Sequence, residues 1–300
     1  MASAKTSNQG AAEPDETHRR PHAKGSTRWP TDGERLRILV VTRGHPFARD
    51  PFFAMFERNH EIEWSHVEHP AAQQFFTPER AREFDCFVLY DMPGIEFVPG
   101  GPPIFFEPQE TFKQGIRAMG EAGCPLVVLH HALAAWPAWP EWAEIVGGQF
   151  LYQPMPCRGK AMPDSGYRLD ATHTISSVAD HPITTGIEPF ELVDEVYLAP
   201  VFEDSIVPLL RSNFDFTDEN FYSPAHALRG QLNCRDDWSH PPGSDIVGWV
   251  KTYGKSPLVY LQFGDGPSAY QHPSVERILA NSIRWAASEE ARMWANRTDR

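Results

Sequence analysis

A doubly wound α/β fold, with a mostly parallel central sheet flanked by helices and irregular Pro- and Trp-rich loops, is the architecture that this sequence predicts. Short runs of consecutive apolar residues recur through the first half, as in strands buried on both faces of a parallel sheet. Segments with helix start and stop signals separate them, and such alternation closes by right-handed crossovers.

The first strand is Arg37-Ile-Leu-Val-Val-Thr42, followed by Glu61–His66, Asp85-Cys-Phe-Val-Leu-Tyr90 and Pro125-Leu-Val-Val-Leu-His130. A helix is expected around Phe52–Arg58. A second spans Thr77–Glu83, with Thr77 as N-cap and Pro78 in the first helical position, and a third spans Thr111–Ala122 and stops before Gly123. The second half is less regular. Strand-like runs lie at Gly166–Ala171, Glu191–Leu198, Ile206–Leu210, Asp245–Thr252 and Leu258–Phe263. A last helix, Pro273–Ala287, carries Ile278, Leu279, Ser282, Ile283 and Ala286 on one stripe that suits a sheet face. With no internal repeat and no clean linker, residues 35–290 are read as a single domain, 1–34 as a disordered N-terminal tail and 291–300 as a polar C-terminal tail.

The chain of 300 residues carries 27 Lys+Arg against 40 Asp+Glu, a net charge of −13, which repels phosphate backbones and anionic lipid heads. Nucleic acid and membranes are therefore not expected partners. There is no long apolar run and no apolar core near the N-terminus, so neither a membrane span nor a signal peptide is predicted and a cytoplasmic location is expected. Cys86, Cys124, Cys157 and Cys234 are widely spaced with no CxxC pair, which argues for free thiols and against a cysteine-based zinc site. The 28 Pro, 9 Trp and 19 Phe imply rigid loops bearing aromatic side chains, a surface also compatible with a homo-oligomer.

Ligands of open α/β sheets bind outside the carboxyl ends of the strands. That rule singles out Thr42-Arg-Gly-His45-Pro, Tyr90-Asp91-Met-Pro-Gly94 and His130-His131-Ala132. Imidazole and carboxylate in one crevice suit acid–base chemistry near neutral pH, or a divalent metal such as zinc held by His45, His130 and His131. The turn after the fourth strand resembles a nucleophile elbow, but its tip holds His130 and no Ser or Cys, so ordinary acyl-enzyme chemistry is not expected. Other readings stand beside these: each histidine as a loop-holding polar group, Asp91 as an Asx turn, and Trp136 as either a sugar platform or packing with Trp139 and Trp142. A nucleophile hidden at Ser165 or Ser223 lacks an elbow pattern.

Several blocks occur in order: His130-His131-Ala132, then Trp136, Trp142 and Val146-Gly-Gly-Gln-Phe150, then His181-Pro-Ile-Thr-Thr-Gly186, then Asp194-Glu195-Val-Tyr197, then Gly248-Trp-Val-Lys-Thr-Tyr-Gly254 and Val259-Tyr-Leu-Gln-Phe-Gly264. Together, over roughly residues 37–287, they resemble the ThuA-like (trehalose-utilisation) family. The resemblance implies a flavodoxin-like fold similar to class I glutamine amidotransferases. It also implies a role in carbohydrate metabolism, linked to oxidised (3-keto) disaccharides. In the amidotransferases the elbow tip is cysteine; here it is His130, and Phe263-Gly264-Asp265-Gly266 stands where the family usually shows Gly-His, so glutaminase activity is not expected. The expectation is an enzyme acting on a small-molecule carbohydrate by hydrolysis, isomerisation or elimination. His130 and His131 are its central base or ligands, Asp91, Glu195 and Asp265 its carboxyl groups, and His45, Trp136 and Tyr197 its substrate contacts. The alternative is a sugar-binding or scaffold protein without catalysis.

Overall fold

The structure, a computed structural model, describes residues 35–297. The expected N-terminal tail lies outside the described residues. In chain order the elements are β1 (Leu36–Arg43), α1 (Arg49–Glu57), β2 (Ile62–Glu68), α2 (Pro78–Ala81), β3 (Cys86–Asp91), a small hairpin of β4 (Ile95–Glu96) and β5 (Ile104–Phe105), α3 (Glu110–Ala122), β6 (Leu126–Leu129) and α4 (Pro140–Val146). There follow a second small hairpin of β7 (Met155–Cys157) and β8 (Lys160–Met162), then β9 (Gly166–Ser177), β10 (Phe190–Leu198), β11 (Val207–Ser212), α5 (Pro224–Leu228), β12 (Ile246–Tyr253), β13 (Ser256–Leu261), α6 (Pro267–Tyr270), α7 (Pro273–Ala286) and α8 (Glu289–Arg297).

Nine strands form one sheet in the order β10-β9-β11-β12-β13-β6-β3-β1-β2. The five from β13 to β2 are mutually parallel, and only β9 and β12 run against the common direction. The continuous apolar runs have their reason in two-sided burial. Ile38 and Val40 of β1 join one core with Phe52 and Phe56 of α1 and Ile278 and Ile283 of α7. Their neighbours Leu39 and Val41 join the core on the other face, with Ile116 and Met119 of α3.

Local signals place the helices as expected. The Thr77 hydroxyl accepts the Arg80 N–H at the start of α2, and Gly123 ends α3 in the left-handed conformation at φ 79°. All five stripe residues of α7 are buried. One boundary needs correction. Residues 289–297, expected to belong largely to a polar tail, form helix α8, which buries Ala291 and Ala295 while its charged residues face water. Its alanines are too small to register as an apolar stripe in the sequence. The four cysteines are free, as expected.

One buried imidazole of the sheet makes a stability prediction. His173 on β9 shares a 2.7 Å hydrogen bond with the Ser212 hydroxyl through Nδ1, while its Nε2 is buried without a partner. Burial pushes its pKa down to about 4. Because the folded value lies below the unfolded one, the unfolded chain binds the proton first, so the contribution is intact above pH 6.5 and is lost as pH falls towards 4. Urea unfolding should show a stability loss of roughly 3 kcal/mol from this group over that window. The His173→Asn variant should lack that share; an equal acid loss in the variant would refute the assignment.

Candidate active site

The site is built around His130, the first residue after β6. Its backbone occupies the left-handed region at φ 46°, where a side chain with a Cβ is strained by about 1–2 kcal/mol. Surrounding groups hold it there. The Tyr260 hydroxyl donates to the His130 carbonyl at 3.1 Å, and ring atom Nδ1 donates to the Gln262 carbonyl at 2.5 Å. With Nδ1 committed, Nε2 faces three oxygens: the Tyr197 hydroxyl at 2.8 Å, Glu195 Oε2 at 3.2 Å and Asp265 Oδ1 at 3.6 Å. The Tyr197 ring also stacks on the imidazole.

The arrival of Glu195 and Tyr197 at this place is a tertiary event. In sheet order β10 lies at the far edge, four strands beyond β13. Only the last residues of β9, Ile175–Ser177, pair with β11, whereas β10 pairs with β9 along nearly its whole length. The rest of that hairpin therefore leaves the sheet and crosses its carboxyl ends. A register shift between Asp194 and Val196 lets two consecutive carboxylates serve the same turn. Asp194 accepts the N–H groups of Gly264 and Asp265 at 2.6 and 3.1 Å, which fixes the loop after β13, while Glu195 reaches His130. Tyr197 N–H donates to Gln262 Oε1, joining the two loops.

The electrostatics follow from this crowding. Burial by itself lowers the His130 pKa, but its bonds to Asp265 and Glu195 outweigh burial and hold it up at about 10. Asp265 is raised by burial, yet pairing with His130 prevails and leaves it below the usual carboxylate range. Burial pushes Asp194 up to about 6 against the pull of His130. His131 is driven well below its ordinary value, first by burial and then by the charges of His130 and His45.

Of the residues singled out in the sequence, His130, Glu195, Asp265 and Tyr197 are brought together. His45 and His131 stand beside them with rings stacked at 4.7 Å, and His131 also lies against Tyr90. His45 is half-buried at the mouth; His131 is buried and neutral, not a second base alongside His130. The expected metal trio of His45, His130 and His131 is not the set that converges, because stacked imidazoles direct their nitrogens along their own planes. Among the described residues the group with ligand atoms mutually within 4.8 Å is His130, Glu195 and Asp265.

Asp91 is neither in this cluster nor an Asx turn: its carboxylate pairs at 2.8 Å with the buried His69. His69 was missed, although it follows β2 in the same way that His45 follows β1, and the strand-end rule applied evenly would have found it. Gln262 was missed too; no sequence signal marks it. Trp136 is buried against Phe112 and His69, so it packs the core and offers no face to a sugar. Ser165 accepts the Leu151 N–H, and Ser223 caps α5 while donating to Asp164; both serve structure. Among the described residues no helix is long and apolar enough to cross a membrane.

The sequence profile of a family described as ThuA, trehalose utilisation, matches residues 37–286. A structure described as a ThuA-like protein of Parabacteroides merdae superposes with a TM-score of 0.61 at 14% identity, covering 86% of this chain and 92% of that one. A ThuA-like protein of Bacteroides uniformis gives 0.56 at 16% identity, covering 88% and 96%. A cytoplasmic protein of Salmonella typhimurium LT2 gives 0.50 at 13% identity, covering 84% and 99%. At such identities the likeness establishes a shared fold. Among curated proteins, none matches the chain.

Proposed function

The chain belongs to the ThuA (trehalose-utilisation) family, and from that premise we propose that it is an enzyme acting on an oxidised (keto) sugar by proton transfer next to the carbonyl group. The family supports a carbohydrate-related role. The observation that carries the chemical reading is the single imidazole nitrogen of His130 facing a phenol and two carboxylates at one strand end.

A ketone acidifies the neighbouring C–H, and the cluster divides the work that follows. Asp265, the carboxylate whose side chain is 32% exposed, is the base that can meet a substrate carbon. The proton passes to Asp265, the C–H electron pair becomes a C=C bond and the π pair of the carbonyl moves to its oxygen. The Tyr197 hydroxyl and the positive charge centred on His130 stabilise the resulting enolate. Return of the proton to the former carbonyl carbon, with the hydroxyl proton of the deprotonated carbon passing to the former carbonyl oxygen, gives isomerisation; return of the oxygen's electron pair with departure of a leaving group from the next carbon gives elimination. Glu195, buried against His130, holds the imidazole in place and maintains its charge. His45, half-buried and stacked on His131, is placed beside the cluster to contact a sugar hydroxyl.

The test is incubation of the protein with 3-keto derivatives of trehalose and related disaccharides, followed by chromatography and by NMR in deuterated water. Turnover, or exchange of the proton next to the ketone, is the expected result. Tight calorimetric binding of a keto-sugar recovered chemically unchanged and without exchange would replace the enzymatic reading with that of a sugar-binding protein.

A further inference from the structure

We infer that His130, Glu195 and Asp265 form a binding site for a divalent first-row transition ion. The first argument is the direction of the imidazole. Its Nδ1–H is spent on the Gln262 carbonyl, as in histidines whose other nitrogen ligates a metal, where a backbone carbonyl fixes the tautomer and aims the ring. The remaining nitrogen faces two carboxylate oxygens, so a positive charge belongs between them: the Nε2 proton in the metal-free protein, and in the loaded protein a metal ion that displaces that proton.

The second argument is spacing. Bonds of about 2.1 Å in a tetrahedral set place neighbouring ligand atoms roughly 3.4 Å apart. The distances from Nε2 to Glu195 Oε2 and Asp265 Oδ1 are 3.2 and 3.6 Å, on either side of that value, and all three ligand atoms lie within 4.8 Å of one another. The Tyr197 hydroxyl is a nearby third oxygen and fourth donor atom.

The third argument is charge. Three carboxylates, Asp194, Glu195 and Asp265, gather around one imidazole, and no lysine or arginine pairs with any of them among the described residues. Even a doubly protonated imidazole leaves that region negative, and a divalent ion corrects the imbalance. One nitrogen and two carboxylate oxygens suit Mn2+ or Zn2+ better than copper or an iron–sulfur cluster. The site rests on the reading above only for what the ion acts on, since an ion beside Tyr197 would add to the stabilisation of an enolate oxygen.

The test reads metal directly. Protein purified without an affinity-tag metal should contain about one equivalent of a divalent transition ion by mass spectrometry. After stripping with chelator, titration with Mn2+ should quench the free-ion electron paramagnetic resonance signal up to about one equivalent. Glu195→Gln and Asp265→Asn, which keep side-chain volume, should weaken that binding by at least about 10-fold. A stripped parent protein that leaves the Mn2+ signal unchanged and fails to take Zn2+ from a colorimetric chelator would overturn the inference, as would variants that bind like the parent. Full keto-sugar turnover by a stripped protein that takes up neither ion would sink the metal site and leave the sugar reading standing. Stoichiometric metal without any turnover would do the reverse.

Discussion

Asp265→Asn is expected to lower keto-sugar turnover by about 10²- to 10⁴-fold, the usual worth of a placed general base. The side chain is about a third exposed, and Asp194 anchors the loop through the backbone N–H of residues 264 and 265. The substitution therefore leaves that anchor in place, and the thermal midpoint should stay near that of the parent. Loss of kcat with an intact fold separates a group that touches substrate from one that only holds the loop. His130→Gln is the companion change. It removes the charge facing Tyr197, Glu195 and Asp265 and should cost at least as much activity, with a drop in stability as well, because it leaves the buried Glu195 without its partner. An Asp265→Asn protein that turned over substrate at the parental rate would end the assignment of Asp265 as the base.

Gly115→Ala is expected to destabilise the fold by about 3 kcal/mol, since overpacking against backbone exceeds the gain of about 1 kcal/mol that alanine brings to a helix interior. Gly115 lies in the middle of α3, where propensity alone would favour alanine. An added Cβ there would land well inside van der Waals contact of the Phe76 carbonyl oxygen. Phe76 cannot simply retreat, because its buried ring packs against Phe87 and Phe112. The adjustment falls on α3 itself. Urea unfolding should report the loss as a lower midpoint with an unchanged slope; a midpoint equal to or above the parent's would show that α3 slides at little cost.

Strand positions were legible because they follow from near neighbours. Arg37–Thr42 and Pro125–His130 read as strands from their apolar runs, and Gly123 marked the end of α3. The tip residue His130 was also legible, since a strand that stops in an elbow sets its tip residue at the carboxyl end of the sheet. Trp136 misled because an aromatic residue near a strand end looks the same in sequence whether its ring faces a crevice or Phe112. Asp91 misled for a related reason. Its partner His69 is supplied by the loop after β2, which lies on the far side of β1 from β3, and strand order is not written in either segment alone.

By itself the sequence determined the α/β class, the run of elements, the placing of an imidazole at the turn after β6, and, through blocks in a fixed order, the family. Only the tertiary structure decided which side chains share that imidazole. Glu195 and Tyr197 are separated from it by 65 and 67 positions and arrive because one hairpin peels away from the sheet. Local periodicity is set by backbone geometry over a few residues. The meeting of distant carboxylates depends on strand order, a register shift and the free energy of packing the whole chain.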